Sequence, residues 1–162
     1  IGLVGVYLLL SFLFRNYLEP LIVMVAIPLG LIGVIWGHIL LGLDLSMPSI
    51  VGFASLAGVV VNNAILLMEF IRIQRRGGES AAAAAAHAAK MRFRAVFLTT
   101  ATTTMGLLPL LTETSLQAQV LIPLVTSIAF GLMAATVLIL ILLPALYTIF
   151  DDFGWTAKIK TE

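Results

Sequence analysis

Apolar residues in this chain fall into five long blocks, at residues 1–14, 20–43, 48–71, 95–111 and about 120–148. A helix needs roughly 20 such residues to cross a hydrocarbon core, and four of the blocks approach or exceed that length. Hydrophobic residues make up 61% of the chain and charged residues 10%, where a soluble domain carries about 25% charged. The fold class expected is therefore all-α, a polytopic transmembrane helical bundle of about five spans. Cysteine is absent, which excludes a disulfide framework, a thiolate metal site and a thiol nucleophile. The first block is too short to span, has no methionine before it, and lacks the basic start and cleavage site of a signal peptide. The expectation is an N-terminus cut inside a membrane span, in a piece of something larger.

The breaks between blocks set the topology. Residues 15–20 form a tight polar turn, with Pro20 opening the next helix where its missing N–H costs nothing. Residues 42–48 form a second turn, residues 72–94 a long polar connection, and residues 112–119 the last loop. Arg15 lies in the first loop. Arg72, Arg75, Arg76, Lys90, Arg92 and Arg94 lie in the third, and Lys158 and Lys160 in the 151–162 tail. The second and fourth loops hold only Asp44 and Glu113. Threaded as five alternating spans, every cation falls on one side, which the positive-inside rule makes cytoplasmic. Four or six spans would break that segregation. Within the third loop, Gly77-Gly78 ends one helix and the alanine run favours another. A short helix over residues 79–90, lying at the lipid headgroups, is expected, with His87 solvated on it. Pro28 should kink the second span, and Pro123 and Pro144 should trim or bend the last.

Polar groups at membrane depth are costly and mark function by default. Asn62 and Asn63 lie about 15 Å from Arg72 along a helix, near the bilayer centre. Ala54, Gly58 and Asn62 repeat every four residues, which puts small residues and amides on one broad face. On the next span Arg92, Ala95, Thr99, Thr102 and Gly106 share a face, and Thr102 sits at the same depth as Asn62. Helix-to-helix hydrogen bonding and a transport role both remain open for the amides. Threonines in spans commonly bond their own i−4 carbonyls, although five of them within residues 99–104 at matched depth weigh against that alone. Gly30, Gly33 and Gly37, with Gly58 and Gly106, suit close helix packing. His38 reads as an interfacial ring, and Glu69 as meeting Arg72 or water. Metal-ligand clusters, phosphate loops, nucleophile–base sets and nucleic-acid motifs are all missing, so an enzyme reading has no residues to stand on.

The run Gly58-Val59-Val60-Val61-Asn62-Asn63-Ala64-Ile65-Leu66-Leu67, then Arg92-Phe93-Arg94, Leu98-Thr99-Thr100, Gly106-Leu107-Leu108-Pro109-Leu110 and Leu143-Pro144-Ala145-Leu146-Tyr147, resembles the resistance–nodulation–division (RND) transporters. The order of these motifs matches the C-terminal transmembrane half: the end of the eighth span, then spans nine to twelve. The resemblance implies a twelve-span, pseudo-two-fold protomer in a homotrimer of the bacterial inner membrane. It implies multidrug efflux as a drug/proton antiporter driven by the proton motive force, with protons as coupling ion and no other cofactor. Implied partners are the remaining N-terminal half, the periplasmic domains, a periplasmic adaptor, an outer-membrane channel and the lipid bilayer, with no nucleic acid. The family's relay arginine falls on Arg92 and its threonine on Thr99, while Asn63 matches a neighbouring asparagine. The family's lysine falls on Asn62, and an amide cannot switch charge. The relay's acidic pair belongs to the fourth span and would lie outside this chain.

A lipid- or protein-translocating relative of the same superfamily, or a structural membrane scaffold, are the competing readings. The topology has a direct test. Cysteines placed at Ser80 and Thr114 should be labelled from opposite sides of the membrane, and labelling from one side would rule out five spans.

Overall fold

A computed structural model describes residues 2–154. The tail expected to carry Lys158 and Lys160 lies largely outside the described residues. Six helices follow in order: α1 Gly2–Phe14, α2 Glu19–Met24, α3 Ala26–Leu41, α4 Met47–Arg76, α5 Ala81–Leu111 and α6 Leu116–Asp152. Among the described residues there is no strand, so the chain is an all-α bundle.

Local chemistry explains the boundaries. Arg15 closes α1 in the left-handed region, at φ 51°. The Asn16 side chain then accepts the Leu18 N–H at 3.0 Å, and Pro20 sits in the first turn of α2. Val25 alone separates α2 from α3. Three residues on, Pro28 cannot donate to the Met24 carbonyl, and the ladder slips there. Gly42 ends α3 at φ 63°, and Ser46 with Ser49 forms a reciprocal cap at the start of α4.

Three stretches are long and apolar enough to cross a membrane: Glu19–Leu41, Met47–Arg76 and Leu116–Asp152. α1 is a shorter apolar helix. α5 differs from expectation. Residues 79–90 do not form a helix of their own; α5 runs unbroken from Ala81 to Leu111. Alanine and the straight-chain basic residues are all strong helix formers, so the Lys90–Arg94 cations sit on the helix instead of interrupting it. Ala81, Ala84, Ala85 and Ala88 are buried in the same core as Ile71, Met68 and Tyr147. Likewise Pro123 and Pro144 lie inside α6 and end nothing.

Glycines set how near the helices come. A Cβ on Gly33 would run into the Phe130 carbonyl and the Ala134 side chain, and one on Gly37 would sit 2.6 Å from Phe130 Cβ. A Cβ on Gly30 would meet Leu56 at 3.2 Å. The crossings of α6 with α3 and α4 are thus backbone-to-backbone. Gly52 and Gly131, not singled out from sequence, do the same: a Cβ on Gly52 would stand 2.5 Å from the Leu124 carbonyl. Gly58 and Gly106 depart from the packing role expected of them, with nothing within 4 Å of an added Cβ. Among the described residues, no helix packs closely against either glycine.

Gly33→Ala and Gly52→Ala should each lower stability by about 1–3 kcal/mol, because rigid backbone must move to admit the methyl group. Gly58→Ala should cost nothing in this bundle. Thermal unfolding in detergent micelles checks the contrast, and equal melting of all three variants would contradict the packing.

Candidate functional site: the α4–α5 polar seam and its charged anchors

Two contacts fix how α4 and α5 lie against each other. The Arg92 guanidinium stacks over the Phe70 ring at 5.1 Å, and the Gln74 amide donates to Met91 Sδ at 3.5 Å. The helices are antiparallel neighbours. Stepping seven residues inward from Phe70 and Arg92, two helical turns or about 10 Å, keeps each helix on the same face. That step reaches Asn63 on α4 and Thr99 on α5. The Gln74–Met91 contact shifts the register by three residues toward Thr102. The amides are therefore level with residues 99–103, at the depth expected.

The structure does not join them by hydrogen bonds. Thr99 donates back to the Ala95 carbonyl at 2.8 Å, and Thr102 to Leu98 at 2.9 Å and Thr99 at 3.0 Å. Asn62 is exposed and Asn63 half-buried, and among the described residues neither amide has a partner. Asn62 faces a groove of about 580 Å³ between α1 and α4, whose other walls are apolar, among them Val6, Phe53 and Ile65. Arg92 leaves its Nε buried with no acceptor. Asn62, Thr99, Thr102, Gly58 and Gly106 thus share uncovered faces of adjacent helices, with Arg92 at the end where Phe70 lies.

The buried polar groups lie elsewhere, and most were missed in the sequence. His38 is 2% exposed, not interfacial. Its Nδ1–H donates to the Val34 carbonyl at 2.8 Å, and Nε2 accepts from the Ser49 hydroxyl at 2.7 Å. The Ser127 hydroxyl donates to the Ser49 carbonyl at 2.9 Å, so α3, α4 and α6 are tied at their outer ends. Thr100 and Thr136 bond each other at 2.6 Å between α5 and α6.

At the end of α4 that carries Arg72, Glu19 is 1% exposed. Arg72 Nε lies 3.6 Å from its carboxylate, and Arg72 Nη1 lies 4.0 Å from Glu69. Arg72 Nη2 also donates to the Phe14 carbonyl at 3.1 Å, and the guanidinium stacks on the Phe14 ring at 5.2 Å. That carbonyl is one a helix end leaves unpaired. Arg75 binds Asp151 at 2.9 Å and holds α4 to α6, while His87 meets Glu79 at 3.1 Å. An acidic residue beside Pro20, opening a helix across from a triple-arginine end, was the available signal for the Glu19 pair.

The all-helical bundle, its apolar spans and its matched polar faces define part of the membrane domain of an RND-type efflux transporter. The chain belongs to the AcrB/AcrD/AcrF family, whose model matches residues 1–151. It is similar to a solved structure described as a heavy metal efflux pump, with 34% identity, a TM-score of 0.73 and 83% of this chain covered. The chain spans 13% of the length of that pump.

Glu19→Ala should destabilise the protein by about 3 kcal/mol, because the Arg72 charge, with its side chain 12% exposed, loses its buried counter-ion. Chemical denaturation in mixed micelles measures it, and a loss below about 1 kcal/mol would contradict a buried ion pair.

Proposed function

We propose that this chain supplies coupling helices of a proton-driven export pump, with Asn62, Asn63, Thr99 and Thr102 as the face that meets the proton-carrying group. The carrying observation is the uncovered seam. Two amides near mid-membrane have no partner among the described residues, and polar groups facing acyl chains are costly enough to require one beyond them. An asparagine cannot change charge, so the titrating group belongs to another part of the transporter. Asn62 can still read its state. An ionised carboxylate accepts from the amide N–H, whereas a protonated carboxyl donates to the amide oxygen, so the amide turns over as the proton arrives. Arg92, two turns toward the cytoplasm, contributes a fixed positive charge that favours the ionised state.

In this reading the pump resides in the bacterial inner membrane as a homotrimer, with a periplasmic adaptor and an outer-membrane channel. It exchanges protons for drugs, detergents or similar amphiphiles. A second reading, metal cations as cargo, is favoured by the similarity to the heavy metal efflux pump.

In the complete transporter Asn62→Leu should abolish export of either cargo while membrane abundance and trimer assembly stay intact. Resistance to dyes and to metal salts, scored against immunoblotted protein, is the measurement. A stable Leu variant with full export would overturn the reading. Activity that merely tracks the amount of folded protein would reduce Asn62 to a helix-packing residue.

A further inference from the structure

The groove between α5 and α6 opens on the side of α5 away from the seam. Its cytoplasmic part, about 360 Å³, is walled by Phe93, Phe97, Val137, Leu140 and Ile141, with Lys90 at its mouth. A deeper part, about 510 Å³, shares Phe97, Thr136 and Val137 with it and continues past Met105 to Leu111. The two therefore form one channel, about 30 Å long at 1.5 Å per residue from Lys90 to Leu111. Thr100 and Thr136 spend their hydroxyls on each other, so the wall offers almost only carbon. Phe93 and Phe97 stack at 5.7 Å and form one bank.

At about 100° per residue, Phe93, Phe97, Thr104 and Leu108 point roughly half a turn from Arg92, Thr99 and Thr102. A protein surface that covers the seam thus leaves this groove free. Among the described residues the basic charge of the groove sits at one end only, and the acidic Glu113 lies beyond the other. Lys90 and Arg94 are exposed, and among the described residues no salt bridge reaches either. The acidic groups of α6, Asp151 and Asp152, lie ten or more residues beyond Ile141, about 15 Å further out. At the opposite end, near Leu111, no cation is present among the described residues.

We propose that this groove binds a phospholipid of the cytoplasmic leaflet bearing net negative charge. One acyl chain lies along the Phe97–Val137 wall, and the phosphate sits between Lys90 and Arg94. Basic residues at the mouth of an apolar inter-helix groove on the cytoplasmic side are the arrangement that selects anionic headgroups. The long stem of Lys90 reaches from the groove wall to the headgroup plane, and exposed Arg94 stands one turn further along α5.

The test is native mass spectrometry of the complete, delipidated transporter titrated with phosphatidylglycerol or phosphatidylcholine of matched chains. Wild type should retain phosphatidylglycerol about tenfold more tightly, and Lys90→Gln/Arg94→Gln should erase that preference. Val137→Trp, which fills the groove without touching charge, should weaken retention of both lipids at this site. Unchanged preference in the double variant, unchanged retention in the tryptophan variant, or no saturable site would each overturn the assignment. Transport is not the readout, so failure here leaves the coupling proposal standing, and the reverse also holds.

Discussion

Backbone contact at Gly33 and Gly52 is the constraint from which the other positions in the bundle follow. Among lipid tails a leucine gains little by leaving the bilayer for a protein interior, so helices associate through dispersion at short range and a few hydrogen bonds. With only hydrogen at these positions, α3 meets the Phe130 carbonyl of α6 and α4 meets the Leu124 carbonyl. That closeness is what lets Ser127 reach the Ser49 backbone and Ser49 reach His38. It also leaves the Asn62 face of α4 turned outward, because the opposite face is committed to α6.

The end that carries Arg72 and Arg75 adds a second principle. There, charge pairs join elements that also share a buried core around Ile71 and Tyr147. Arg72 spans from α4 to the end of α1 and the start of α2, and Arg75 spans to α6. The α5 alanines add a flat apolar surface against the same region. A bundle held by glycine contacts toward the Ser49 end and by ion pairs at the Arg72 end keeps its α1–α4 groove open. Asn62 looks into that groove.

Much of this was legible in the sequence because it depends on local chemistry: the helices, Pro20 at the start of one, the turn at residues 42–48, and the level of Asn62 with the threonines. What was not legible depends on distances between helices. His38 lies near a helix end and reads as interfacial; its burial follows from how near α3, α4 and α6 come. Glu19 reads as part of a turn until the end of α4 folds over it. The cations at 90–94 read as a boundary, yet nothing in the α5 backbone breaks there. Gly58 and Gly106 follow the small-residue pattern of a packing face, and this chain supplies no helix to pack on them.

The seam draws these threads into one expectation: the polar face left bare by the glycine crossings meets an ionisable group from the rest of the transporter. The most direct measurement is the distance from the side-chain amides of Asn62 and Asn63 to the nearest carboxylate oxygen in a structure of the complete pump. A direct hydrogen bond of about 3 Å, or one bridged by a single ordered water, is the expected result. Amides set against acyl chains, with no carboxylate within about 8 Å, would contradict it.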